Sequence, residues 1–224
     1  MESTMHVVCV NVGEERRILH GKPSGRTGIY KLPRTEPVLV TRLGLVGDAI
    51  VDTANHGGAD QAVYLCTVPD YAWWSAYLGR SLDPGTFGEN LTLSDLESAT
   101  LHIGDRLRVG AILLEITAAR IPCVTIAARM GDPQFVKKFR AAERPGMYCR
   151  VIEEGLVAVH DRVELIPFQG TAAVSVLESF RCFYKKVLTA DELRRFLAVP
   201  IPDKVRPHYE ALLAQASATE IPAP

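Results

Sequence analysis

The sequence predicts a mainly β fold, a closed and mostly antiparallel barrel with peripheral helices, and three observations predict it. Short β-rich runs recur through the first two thirds of the 224-residue chain. Glycine-centred turns punctuate them at regular spacing, which favours a barrel over a parallel α/β sheet. Helical periodicity is confined to a few short segments until about Phe168-Gln169-Gly170, after which it takes over.

Residues 5–12 open the chain as an apolar run. Residues 37–43 alternate roughly and are broken by Gly44 and Gly47-Asp48. Residues 61–65 read as a further strand, followed by a helix over 69–78 with proline in its first turn and Gly79 just past its end. A loop at 86–89 leads into a strand at 90–93. Residues 101–109, interrupted at Gly104-Asp105, pair with 111–118 across Gly110. A short helix spans 124–130 and stops at Gly131. Asp132-Pro133 starts another, with Phe135, Val136 and Phe139 on one face. Residues 147–152 pair with 156–159 across Glu153-Glu154-Gly155, and 162–166 follow.

Residues 1–168 thus form the barrel domain, and 172–216 form a C-terminal extension of three small helices. The first covers 175–187. The second begins at the capping box of Thr189 and Glu192 and reaches about Leu197. The third is capped by Asp203 and runs to about Ala214. Three such helices are too few for a core of their own, so they pack on the barrel. The residues from about Ser217 read as a frayed end.

Composition excludes several classes. Apolar residues at 47% and charged residues at 23% suit a globular core. A formal net charge of -1 gives no global basic field for nucleic acid or an anionic membrane. No apolar run approaches the ~20 residues of a membrane span, and residues 1–13 lack the pattern of a signal peptide. The five cysteines, Cys9, Cys66, Cys123, Cys149 and Cys182, are odd in number, widely spaced and free of C-x-x-C. That argues against a disulfide framework or a structural zinc site, and for a reducing, cytoplasmic compartment. The sequence carries no G-x-G-x-x-G, G-x-S-x-G or H-E-x-x-H.

Four segments could carry chemistry. Cys123 follows a strand and sits at the mouth of a short helix, where backbone N–H dipoles and nearby Arg120 favour a thiolate. A thiolate is a nucleophile or a soft-metal ligand; the competing reading is a buried structural cysteine. His56-Gly57-Gly58-Ala59-Asp60 combines two permissive glycines with side chains able to bond a polar heterocycle, or is simply a tight turn. Thr86-Phe87-Gly88-Glu89-Asn90-Leu91 places an acid and an amide where ring nitrogens could be read, or is an irregular loop. His20-Gly21-Lys22-Pro23-Ser24 could hold a phosphate but does not match a P-loop. Tyr71, Trp73, Trp74 and Tyr77 sit at helical spacing as packing residues. Cys66, Cys149 and Cys182 read as core.

The order of Gly21-Lys22-Pro23-Ser24, Leu43-Gly44-Leu45-Val46-Gly47-Asp48, the His56 segment through Tyr64, Pro84 through Leu91, Ile103-Gly104-Asp105 and Arg120-Ile121-Pro122-Cys123 closely resembles the MOSC domain, named for the C-terminal domain of molybdenum cofactor sulfurases. It resembles the stand-alone YiiM-like branch in particular, with residues from Val174 onward similar to that branch's three-helix extension. The resemblance covers nearly the whole chain. It implies a closed antiparallel barrel and a molybdenum cofactor, a molybdopterin, whose metal is ligated by Cys123. It implies a pterin pocket built from the glycine-rich segments, Gly57, Gly88 and Glu89 among them. Lys22 and Ser24 become candidates for the cofactor's phosphate. His56, Asp60, Asn90 and Arg120 become candidates for the pterin or the substrate side. The chain departs from the pattern at Cys66, at Ala119 where proline is frequent, and at His160 where glycine is common.

The branch is associated with reduction of N-hydroxylated compounds, N-hydroxylated purine bases among them. The sequence shows no flavin or iron–sulfur domain of its own, so the resemblance implies a separate reductase as electron donor. A homodimer is left open. Two alternatives remain: a cofactor carrier or persulfide-transfer module using the same thiol, and a barrel whose site no longer works.

Overall fold

A computed structural model describes residues 4–20, 25–53 and 56–219. The first strand, β1 (Val7–Gly13), is buried almost throughout, as a valine-rich strand covered on both faces must be. Two short pieces, β2 (Arg16–Arg17) and β3 (Arg26–Thr27), pair with each other, and β4 (Lys31–Pro33) pairs with the end of β1. Next, β5 (Val38–Thr41) and β6 (Gly44–Leu45) form a tight hairpin.

Strand β7 (Val63–Thr67) runs directly into α1 (Val68–Leu78). Thr67 caps that helix by accepting from the Asp70 N–H, and Gly79 ends it in the left-handed region. Strand β8 (Leu91–Leu93) follows, then the hairpin of β9 (Arg106–Val109) and β10 (Ile112–Ala119). After α2 (Val124–Met130) and α3 (Phe135–Ala142) come β11 (Met147–Glu153), β12 (Gly155–Val157) and β13 (Val163–Ile166). The chain closes with α4 (Val176–Phe183), α5 (Ala190–Leu197) and α6 (Arg206–Thr219).

The expected closed, mainly β barrel is not what forms. Eight strands make one open mixed sheet in the order β13, β9, β10, β11, β7, β8, β1, β4. Its neighbours are antiparallel except β7 and β8, which run parallel because α1 carries the chain across between them. Near its ends, the starts of β1 and β13 approach at an isolated bridge between His6 and Arg162, with the His160 N–H also donating to the Val7 carbonyl, and this does not grow into a ladder. Strands β12, β5 and β6 split off as a second sheet. About 29% of the described residues are helical and 28% are strand, so the class is mixed and not mainly β.

The expected hairpin of 147–152 with 156–159 is also absent. Both edges of β11 are already taken, by β10 and β7, so β12 crosses away and pairs with β5. In the C-terminal part, α4 stops at Phe183, and Val187 beyond it is 80% exposed. The capping box at Thr189 and Glu192 forms as expected. The last helix begins at Arg206 instead of Asp203, whose N–H donates to Asp60 Oδ2 (2.7 Å).

The core joins these parts through aromatic rings. Trp74 of α1 packs on Phe139 of α3 (centroids 5.5 Å), and Phe139 meets Phe180 of α4 at 6.3 Å. Each such buried ring contributes about 1.5–3 kcal/mol, so α4 is anchored to the sheet by burial. Among the described residues no helix is long and apolar enough to cross a membrane.

Candidate functional site around Cys123

Strand β10 ends at Ala119, and Arg120, Ile121 and Pro122 carry the chain to Cys123, the N-cap of α2. Pro122 restricts the residue before it to extended backbone, so the strand cannot run directly into a helix. Cys123 is partly exposed, whereas Cys9, Cys66, Cys149 and Cys182 are buried. Burial pushes those four thiols up from their ordinary value. Burial also acts to raise Cys123, but its bonds to His56, the Arg120 charge and the Thr125 hydroxyl and N–H outweigh it. The thiol is brought down to about 6. At neutral pH Cys123 is therefore a thiolate, the form that ligates soft metals and attacks electrophiles.

Two clefts meet at this sulfur, with His56, Gln61, Cys123 and Tyr148 as their common wall. The first is polar and runs over the sheet past Arg120, Asn90, Lys31 and Asp48. Arg120 is 4% exposed, and its guanidinium lies over the rings of Tyr64 (5.3 Å) and Phe139 (5.6 Å). Its Nη1 is buried with no hydrogen-bond partner in the protein. A buried cationic nitrogen without a partner is costly, and an anionic ligand in the cleft would supply the missing acceptor. Lys31 and Asp48 form a buried ion pair on the floor. Burial pulls the Lys31 ammonium down from its ordinary value against the opposing pull of Asp48.

Of the residues singled out by sequence, Cys123, His56, Gly57, Gly88, Asn90 and Arg120 all line the polar cleft. Gly57 (φ 74°) and Gly88 (φ 82°) occupy the left-handed region, and a Cβ on either would come within 2.8 Å of Ile50 and Ile29 respectively. Asn90 is fully engaged as a strap. Its Oδ1 accepts from the Tyr64 N–H (3.1 Å), and its Nδ2 donates to Asp48 Oδ2 (2.9 Å) and the Asn11 carbonyl (3.4 Å).

Glu89 and Asp60 do not reach either cleft. Glu89 lies between Gly88 and Asn90 but is fully buried. There its Oε1 accepts from the Tyr71 hydroxyl, the Gly85 N–H and the Thr92 hydroxyl. Asp60 instead binds Arg150 (2.7 Å) and the Asp203 N–H. Lys22 and Ser24 lie outside the described residues.

Sequence reasoning missed Lys31, Thr125 and Tyr148 at the site, and all of the second cleft. Tyr148 had a signal, since it alternates with the buried Met147 and Cys149 along β11. The second cleft is apolar and wider, about 500 Å³ against about 110 Å³ for the polar one. It lies between the segment from Thr117 to Pro122 and the C-terminal helices, with Phe183, Phe196 and Tyr209 on its far side. Among the described residues no cluster of three or more His, Cys, Asp or Glu could hold a bare metal ion.

Comparisons with known proteins bear on this geometry. The model of the MOSC domain matches residues 52–164. The uncharacterized protein YflK of Bacillus subtilis (strain 168) is 32% identical over 192 residues, covering 86% of each chain. A protein of Gibberella moniliformis (strain M3125 / FGSC 7600) named as a reductase is 30% identical over 173 residues, 74% of this chain but 31% of its own length. The crystal structure of YiiM from Geobacillus stearothermophilus superimposes with a TM-score of 0.76 at 25% identity, covering 93% of this chain and 99% of that one.

Proposed function

The chain belongs to the MOSC-domain family, and on that premise we propose that it is a molybdenum-cofactor-dependent reductase of N-hydroxylated compounds, N-hydroxylated purine bases among them. The observation that carries the reading is the Cys123 thiolate at the junction of a polar and an apolar cleft. The lining of the polar cleft suits an anionic organic group. Arg120 offers an unpartnered buried nitrogen, and the glycines at 57 and 88 let a ligand approach the backbone. Cys123 would be the protein's thiolate ligand, with Arg120 and His56 around the pterin side. The bound cofactor supplies the two-electron redox step, as cofactors generally carry the chemistry a side chain cannot.

The protein's own residues bind, orient and supply protons. The reaction is R–NHOH + 2e⁻ + 2H⁺ → R–NH₂ + H₂O: the N–O bond breaks, nitrogen is reduced, and the oxygen leaves as water. The electrons come from a separate flavin or iron–sulfur reductase. His56, with Nε2 4.0 Å from Cys123 Sγ, would donate a proton to the leaving oxygen. A relative that carries the name reductase supports a redox role over a carrier. Four buried thiols suit a reducing compartment such as the cytoplasm.

The test is anaerobic turnover of N⁶-hydroxyadenine by cofactor-loaded protein with a chemical reductant. The proposal expects one adenine per two electrons consumed. A persulfide on Cys123 with no reduction of the base would instead establish the sulfur-transfer alternative.

A further inference from the structure

Arg129 joins three of the segments that enclose the polar cleft. It lies near the C-terminal end of α2, the short helix whose N-cap is Cys123. At about 1.5 Å per residue, one helical bar of roughly 9 Å carries the thiol at one end and a guanidinium at the other. Arg129 Nε donates to the Thr86 carbonyl (2.7 Å), and its Nη2 donates to the Gly85 carbonyl (3.2 Å). The guanidinium also lies over the Tyr30 ring at 4.7 Å. Gly85 and Thr86 open the loop that supplies Phe87 and Gly88 to the cleft, and Tyr30 stands between Ile29 and Lys31, which line it too.

The loop has little structure of its own. Residues 84–90 form neither helix nor strand, and Gly85 (φ 87°) and Gly88 (φ 82°) take left-handed backbone. Toward the core it is tied by the Gly85 N–H on Glu89 Oε1 (2.6 Å) and the Thr86 N–H on the Tyr71 hydroxyl (3.1 Å). Arg129 supplies the tie to α2. Its guanidinium is half-buried and, among the described residues, is held by carbonyls and a ring with no carboxylate ion pair. Removing it therefore frees the loop and strands no buried carboxylate.

We propose that Arg129 is a positioning residue, which fixes the 85–88 wall of the polar cleft against the helix that carries Cys123 and so keeps a ligand bound at the thiol. It acts through Gly85 and Thr86, since its own side chain is not part of the cleft lining. The effect on retention rests on the reading of this cleft as the cofactor site. The clamp on the loop stands apart from that reading.

The test is hydrogen exchange on the full chain as purified. Gly88 is the reporter, because its N–H donates to the same Gly85 carbonyl that Arg129 holds (3.1 Å). In Arg129→Ala the Gly88 amide is expected to exchange roughly ten- to a hundredfold faster, the range of a hydrogen bond to a charged group. Amides of β10 and β11 are expected to keep the parent's rates. Millimolar guanidinium ion is expected to restore Gly88 protection in Arg129→Ala, because the free ion presents the same planar fork to the two carbonyls. Molybdenum per chain, in protein purified anaerobically from a host rich in the cofactor, is expected to fall about tenfold or more in the variant. Unchanged Gly88 exchange, equal acceleration of the sheet amides, or no response to guanidinium overturns the clamp. A loosened loop with molybdenum fully retained overturns the positioning role and leaves the cofactor reading standing. Molybdenum absent from the parent as well, with Gly88 loosened and rescued as expected, would end the cofactor reading and uphold the clamp on the loop.

Discussion

Cys123 Sγ lies 4.0 Å from His56 Nε2, at the point where the polar and apolar clefts meet. Burial by itself raises the thiol, and His56 is the largest of the influences that bring it down to about 6. Alkylation of Cys123 by iodoacetamide should therefore rise through a midpoint near pH 6. In His56→Ala that midpoint should move upward, toward the ordinary thiol range. The measurement is the pH profile of the alkylation rate. An identical profile in the two proteins would remove His56 from the activation of the thiol.

Arg120 should separate function from stability. Its Nη1 is buried without a partner, so Arg120→Met replaces a poorly satisfied buried cation by an apolar chain of similar reach. Such exchanges are often neutral or stabilising. Thermal melts should show a change within about 1–2 kcal/mol. Cofactor retention should be lost, and the Cys123 titration should shift up, because Arg120 contributes to lowering it. Strong destabilisation with cofactor retained would mean that the guanidinium serves packing alone.

Glu89 predicts a pH dependence of stability. Burial holds its carboxyl above the ordinary value of 4.5, against the hydrogen bonds from Tyr71, Gly85 and Thr92. A carboxyl raised in the folded state contributes stability that is complete below its unfolded value and is lost as pH rises through its folded value. Denaturation midpoints should fall as pH rises above about 4.5, and Glu89→Gln should flatten that fall. A Glu89→Gln curve parallel to the parent's would contradict this.

Much of this site was legible in the sequence, for reasons tied to particular residues. Cys123 stood out because Pro122 and Gly131 bracket a short helix after a strand. Gly57 and Gly88 stood out because positive φ favours glycine. The burial of Glu89 had no sequence signal, because the hydroxyls of Tyr71 and Thr92 that hold it come from α1 and β8. The Lys31–Asp48 pair spans 17 positions and the Lys204–Gln61 bond spans 143, distances at which pattern carries no signal. The strands were readable as strands, but alternation does not name partners. Neither the parallel pairing of β7 with β8 nor the departure of β12 to β5 has a local signature.

Asp60 links the sheet to the C-terminal segment, through Arg150 at 2.7 Å and the Asp203 N–H at 2.7 Å. Asp60→Ala leaves Arg150 with its partly buried charge short of one carboxylate, and should cost about 1–3 kcal/mol. Hydrogen exchange of the Asp203 amide should accelerate ahead of the sheet amides. Equal protection in parent and variant would show that the link is not a strap.

The central claim is that Cys123 is the protein's ligand to a molybdenum cofactor. The most direct measurement is molybdenum per chain in protein purified anaerobically from a host rich in that cofactor, beside Cys123→Ala. Near-stoichiometric metal is expected in the parent and none in the variant. Molybdenum absent from the parent, or equal in both, would contradict it.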